Sequence, residues 1–248
     1  MPNALQEPVL RPVVYIHVPK CGGSSFGAAL RLRSFYSQAT IDLAATRKAA
    51  LSLEPALAGD ALIRADYAQR RIALLRQLER GKQVIAAHAH YAPDLHAGPG
   101  QGHRWVTLLR DPVARFVSHY HYLQRAHPDP ARPQNIDAFC ETRDAWRIGS
   151  QVLFYFSGEW AQPDGDMTAE IIRAKSGLNS LDLVGRLEAA DLFRRDLARM
   201  VASPLPMLSR NRAPAAPALS KGLRRRIETV CAADIEIYET RFPDRCAA

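Results

Sequence analysis

One short stretch constrains this chain more than any other. Residues 13–18, V-V-Y-I-H-V, are apolar on both faces of an extended chain and rich in β-branched side chains. Such a run suits a strand covered on both sides, as in a parallel sheet. Pro19 ends it, because proline cannot donate to a ladder. Residues 19–25, P-K-C-G-G-S-S, lead into a segment whose Phe26, Ala29 and Leu30 recur at helical spacing. Ser24 or Ser25 is expected to cap that helix. Strand, glycine turn and helix start together suit an anion, since glycines let the backbone approach and free N–H groups point outward. Lys20 adds a mobile positive charge. The order differs from a Walker loop, in which the lysine follows the glycines. An ordinary strand–turn–helix corner is the alternative reading.

The rest of the chain alternates in the same way. Strands are expected at 83–87, 104–109 and 181–184. Helices are expected at 62–80, 136–156, 189–201 and 221–238. Residues 38–60 look irregular, with Pro55 and Gly59 as breakers, and 203–217 is a proline-rich connector. This predicts one three-layer α/β domain over residues 1–248, with a mainly parallel central sheet flanked by helices. No stretch is apolar enough to span a bilayer, and the N-terminus lacks a leader-like pattern. Cys21, Cys140, Cys231 and Cys246 form no C-x-x-C pair, which argues against a disulfide framework. A soluble, cytoplasmic protein is the expectation.

A second strand-to-helix corner is W-V-T-L-L-R-D-P at 105–112. It puts Arg110 at the carboxyl end of its strand, where open α/β sheets bind ligands. On the following helix, Val113, Phe116, Val117 and Tyr120 share a core-facing stripe. Arg115, Ser118 and Tyr122 fall on the other side, so Ser118 is open to a ligand. An ion pair with Asp111 or another acid is the alternative for Arg110. His88-Ala89-His90 follows the 83–87 strand. If that strand continues, both imidazoles face one way and either suits a base at neutral pH. Buried structural histidines or a metal pair are the alternatives. Beyond the scattered His96 and His103 no third ligand is at useful spacing, so no metal is expected. His119 and His121 share the spacing but lie in a helix, where they diverge.

The net charge is +8, and 28 of the 33 basic residues are arginine. Arginine suits bidentate recognition of phosphate, sulfate and carboxylate. Charge alone leaves nucleic acid, a phosphorylated cofactor, an acidic substrate or a plain solvated surface open.

Taken together, Y-I-H-V-P-K-C-G-G-S-S-F and L-L-R-D-P-V-A-R-F-V-S-H-Y resemble the sulfotransferases that use 3′-phosphoadenosine 5′-phosphosulfate (PAPS). The nearest look is the heparan and chondroitin/dermatan uronyl 2-O-sulfotransferase branch, with a bacterial relative implied. The resemblance implies a P-loop-like fold without a metal. It assigns Lys20, Cys21, Gly22, Gly23, Ser24 and Ser25 to the 5′-phosphosulfate, and Arg110 and Ser118 to the 3′-phosphate. Lys20 is also implied in catalysis. His90 is the implied base with His88 as partner, and which of the two serves stays open. Cys21 departs from the threonine of many members, and a thiol is a poorer donor. V-G-R-L-E at 184–188, Asn211 and Asp234-x-x-x-Tyr238 resemble late family features.

The implied partner is a hydroxyl acceptor. An anionic glycan is one such class, if Arg31, Arg33, Arg47, Arg64, Arg70 and Arg71 line an acidic-substrate cleft; solvated helix positions are the alternative. Nucleic acid is not expected, since no finger, basic zipper or RNP-like motif appears. A P-loop-like nucleotide kinase lacks its Walker lysine and a clear Mg²⁺ carboxylate here. A non-catalytic PAPS-binding protein (or one binding the product, PAP) remains the other alternative.

Overall fold

A computed structural model describes residues 11–34, 36–206 and 219–243. Its elements in chain order are β1 (Val13–Ile16), α1 (Gly23–Arg33), β2 (Gln38–Thr40), α2 (Leu43–Leu53), α3 (Gly59–Glu79), β3 (Val84–Ala87), α4 (Pro93–Ala97), β4 (Arg104–Leu109), α5 (Pro112–Ala126), α6 (Ile136–Phe139), α7 (Arg143–Gly149), α8 (Gln151–Ser157), α9 (Thr168–Asn179), β5 (Leu183–Arg186), α10 (Ala190–Met200), α11 (Lys221–Val230) and α12 (Ala232–Arg241).

The five strands form one parallel sheet in the order β2-β3-β1-β4-β5. All four residues of β1 are fully buried. The expected two-sided burial therefore holds at the centre of the sheet. On one face, Val13 and Tyr15 meet Phe26 and Leu30 of α1 and Phe193 and Leu197 of α10. On the other, Val14 and Ile16 share a core with Tyr67, Leu74 and Leu78 of α3, residues 152–156 of α8, Leu178 of α9 and Ile237 of α12. Burying each large apolar side chain contributes about 1.5–3 kcal/mol. A third cluster joins α5 to α6, α7 and α11.

The chain leaves β1 toward β2 but leaves β4 toward β5. The connections diverge at the adjacent carboxyl ends of β1 and β4. That divergence opens the crevice in which α/β sheets hold ligands. The buried Thr107 hydroxyl donates to the Ile16 carbonyl at 2.8 Å and braces these two strand ends.

Several expectations are corrected. Residues 38–60 hold β2 and α2, the helix capped by Asp42, whose carboxylate accepts from the Ala44 and Ala45 amides. The 136–156 helix is three short helices, and the 221–238 helix breaks at Cys231 into α11 and α12. The last strand starts at Leu183 rather than at 181. Arg115 is not on an open face. It is fully buried, because the α7–α8 corner and α12 enclose the start of α5 on a second side. Its guanidinium donates to the carbonyls of Ile148 and Gly149 and pairs with Asp234 at 3.2 Å. Asp234 is equally buried and also accepts from the Val152 and Leu153 amides, each at 2.9 Å. Asn211 and Cys246 lie outside the described residues, and the other three cysteines are free and buried.

Removing one partner of such a pair strands the other charge in the core. Asp234→Ala is therefore expected to cost about 3–5 kcal/mol in urea denaturation. Arg173→Gln, which breaks the exposed pair with Glu170, is expected to cost less than about 1 kcal/mol. Equal losses would contradict this account of the core.

Candidate active site

The loop after β1 is built from two unusual backbone positions. Gly22 takes a left-handed conformation, φ +76°, and Lys20 does so with a side chain, φ +66°. A non-glycine residue there is sparsely populated and carries local strain. Gly22 is the N-cap of α1 and no side chain caps the helix, so Ser24 and Ser25 are first-turn residues rather than caps. The Ser25 amide donates to the Gly22 carbonyl at 3.3 Å, while the Gly23 and Ser24 amides have no helical acceptor. A helix start of this kind suits an anion.

Gly23 serves a different need. A Cβ at this position would lie 2.1 Å from the His17 ring. The glycine is required by an imidazole at the end of β1. The Cys21 thiol points into the core and donates to the Pro19 carbonyl, and burial pushes it up to about 12. Only the backbone of Cys21 remains for a ligand.

Arg110 meets this loop from β4, its Nη1 donating to the Lys20 carbonyl at 3.4 Å. The Lys20 ammonium lies 4.3 Å from the centroid of the Tyr122 ring on α5. Ser118, Tyr122 and Arg125 occupy one stripe of α5, at spacings of four and three residues. Burial and the positive charges of Arg125 and then Arg110 hold the Lys20 ammonium below its ordinary pKa. Among the described residues, none of Lys20, Arg110 and Arg125 is paired with a carboxylate. A cluster of like charges that no acid neutralises is suited to an anion.

The V-G-R-L-E element closes over the loop. A Cβ at Gly22 would sit 2.6 Å from Leu187. Glu188 accepts from the Asp111 amide at 3.0 Å and from the Tyr238 hydroxyl at 2.9 Å. It fixes the corner that carries Arg110 to the last helix.

The histidines line the neighbouring wall. The β1–β3 ladder extends through His17 N–H to the Ala87 carbonyl at 2.8 Å, and the His17 and His88 rings lie 4.0 Å apart. His88 Nδ1 is 3.5 Å from the Tyr155 hydroxyl, which in turn meets the Tyr67 hydroxyl at 3.1 Å. The strand stops at Ala87, and His90 enters a different setting. It stacks on Tyr67 at 4.6 Å and meets Phe154 edge-on at 4.4 Å. Its Nε2 is buried and has no hydrogen-bond partner among the described residues. Both rings lie beside Tyr155, His90 at 6.4 Å between ring centroids.

Burial, then the Arg70 charge, lowers both His88 and His90 to about 4. Burial also lowers His17 well below its ordinary value and takes His119 to about 3. Among the described residues, no group of three His, Cys, Asp or Glu is placed to hold a metal.

Of the six arginines expected to line an acidic cleft, Arg64 pairs with Glu159, Arg70 with Asp66 and Arg71 with Asp94. Arg33 donates to the Arg11 carbonyl. The arginines on the histidine side are therefore largely neutralised. Sequence reading did not assign His17, Tyr67, Tyr155 or Arg125. Two of these carried a signal: His17 alternates in phase with Tyr15, and Arg125 is seven residues past Ser118.

No family model matches the chain, and no curated protein is detectably similar to it in sequence. Among solved structures, a sulfotransferase from Alicyclobacillus acidocaldarius superposes with a TM-score of 0.53. The likeness covers 95% of this chain and 97% of that one, at 17% identity. The chain has the fold of a sulfotransferase. Among the described residues, no helix of this fold is long and apolar enough to cross a membrane.

The buried imidazoles give stability a pH dependence. In the unfolded chain each titrates near 6.5, whereas in the folded chain each is held lower, His88 and His90 at about 4 and His119 at about 3. Between those values the unfolded state binds more protons, so stability present above about pH 6.5 is lost on acidification. Asp234, raised by burial to about 6 against the pull of Arg115 and its amide donors, opposes this below pH 6. His88, His90 and His119 each lose about 2 kcal/mol between pH 7 and 5 and Asp234 returns about 1 kcal/mol, so a net loss of about 4 kcal/mol would lower Tm by roughly 8–16 °C. A flat or rising Tm in calorimetry would contradict the burial of these rings.

Proposed function

We propose that this protein transfers a sulfuryl group from PAPS to a hydroxyl acceptor. The observation that carries the reading is the meeting of Lys20 and Arg110, neither paired with an acid among the described residues, beside a start of α1 that no side chain caps. It occurs at the divergence point of a sheet with a sulfotransferase fold. The site suits PAPS in its charge: Lys20 and Arg110 supply two cationic groups for a nucleotide with anionic groups at its 3′ and 5′ positions. When bound, PAPS supplies the sulfuryl group on a nucleotide phosphate that can leave.

The residues divide the work. Lys20, Gly22, Gly23, Ser24 and Ser25 hold the 5′ end through first-turn amides, hydroxyls and the ammonium. Arg110 and Ser118 take the 3′-phosphate. Lys20 also neutralises charge that develops on the departing oxygen. His90 receives the acceptor's hydroxyl proton at Nε2. That buried atom has no hydrogen-bond partner among the described residues, which supports the role, since leaving it unsatisfied costs about 1–3 kcal/mol that a hydroxyl partner would relieve. A low pKa keeps the ring neutral, and thus able to accept, throughout the neutral range. His88 is the second reading for the base, favoured by its ring contact with His17 beside the loop. No metal takes part in this scheme.

The H-x-H element and V-G-R-L-E support the uronyl 2-O-sulfotransferase-like branch within this reading. The carboxylate pairing of Arg64, Arg70 and Arg71 narrows the support for an anionic glycan as acceptor.

Titration calorimetry with PAP and with ATP·Mg²⁺ tests the class; preference for ATP·Mg²⁺ would replace this reading with a kinase. Arg110→Ala is expected to weaken PAP by about tenfold or more while 5′-AMP, which lacks the 3′-phosphate, loses little. His90→Ala should lower transfer from labelled PAPS by about 10² or more with PAP affinity retained. Full activity in His90→Ala together with its loss in His88→Ala would move the base to His88. Activity in neither wild type nor variants, with PAP still bound, would leave a binding protein.

A further inference from the structure

Among the described residues, Lys20 and Arg110 of the two sequence motifs carry two positive charges in this crevice that no carboxylate pairs, and Arg125 carries a third. It lies in the last turn of α5, three residues beyond Tyr122, a rise of about 4.5 Å along the helix. Tyr122 is the residue on which the Lys20 ammonium rests, 4.3 Å above the ring. Arg125 is exposed, and among the described residues it makes no hydrogen bond or ion pair. Its neighbour Arg132 contrasts with it, being held by the Leu123 and His127 carbonyls.

We propose that Arg125 is a binding residue for the 5′ end of the nucleotide, where its guanidinium and the Lys20 ammonium close on the same anionic group. The inference rests on the PAPS reading above and adds a residue that neither motif contains. Geometry separates Arg125 from the 3′ corner. Arg110 and Asp111 stand at the start of α5, whereas Arg125 shares the far part of the helix with the tip of Lys20. The like charges of Arg125 and Arg110 on Lys20 oppose its protonation. A bound anion removes that opposition. The aromatic ring of Tyr122 holds the ammonium in place without neutralising it.

A last-turn arginine also favours the negative end of its helix dipole, so the test must separate the two roles. Arg125→Gln and Arg110→Gln are titrated with PAP, 5′-AMP and 3′-AMP, with Tm read in each state. Arg125→Gln is expected to weaken PAP and 5′-AMP by about tenfold or more and to leave 3′-AMP unchanged. Arg110→Gln should show the opposite preference, and Arg125→Lys should recover part of the loss because charge is kept and the bidentate fork is not. Unchanged affinities in Arg125→Gln, with an equal drop in Tm with and without ligand, would assign Arg125 to the dipole alone and overturn the proposal. A loss confined to 3′-AMP would also overturn it. If wild-type protein binds no PAP, the PAPS reading itself fails and the proposal falls with it.

Discussion

The buried pair of Arg115 and Asp234 sets the geometry on which both walls of the crevice depend. Taking two charges out of water costs several kcal/mol per ion, and attraction offsets this only where the remaining hydrogen bonds are made. Here they are made by backbone. Arg115 ties α5 to the carbonyls at the α7–α8 corner, and Asp234 ties α12 to the first amides of α8. The rotation of α5 about its axis decides where Ser118, Tyr122 and Arg125 point. The start of α8 decides where Phe154 and Tyr155 stand against the histidines. One contact in the core thus fixes the phosphate wall and the proton-accepting wall relative to each other. The Glu188 link between Tyr238 and the Asp111 amide repeats the connection at the rim.

Much of this was legible in the order of residues. β1, its glycine loop and the β4–α5 corner could be read because each has a strong local signature: a two-sided apolar run, Gly-Gly before helical spacing, and Asp-Pro at a helix start. β2 was not legible, since its three residues, Q-A-T, are half-buried or exposed and carry no alternation. The breaks at Ser150 and Cys231 were hidden inside continuous apolar periodicity. Arg115 was misread for a deeper reason. Helical phase placed it correctly around α5, but its partner lies 119 residues away, and no local pattern reports such a contact. The histidine pair shows the same limit. Alternation along a strand describes two side chains only while the strand lasts, and β3 ends before either of them.

Charge follows a similar division. The arginine excess suggested one broad anionic partner, yet the described arginines are used unequally. Those beside the histidines face carboxylates at contact distance, so their field beyond the surface is small. Lys20, Arg110 and Arg125, between β1, β4 and α5, have no carboxylate partner among the described residues. Their closeness to one another, rather than the basic isoelectric point, is what marks the crevice for an anion.

The packing of Gly23 against His17 has a consequence for how such chains vary over time. The loop and the end of β1 occupy a single volume too small for two side chains. A methyl group gained at 23 must be matched by a smaller residue at 17 and a shift of the Tyr15 hydroxyl, 2.8 Å from that position. The two positions should therefore drift together in any lineage that keeps this turn, and their joint identity would date a change in the neighbouring imidazole wall.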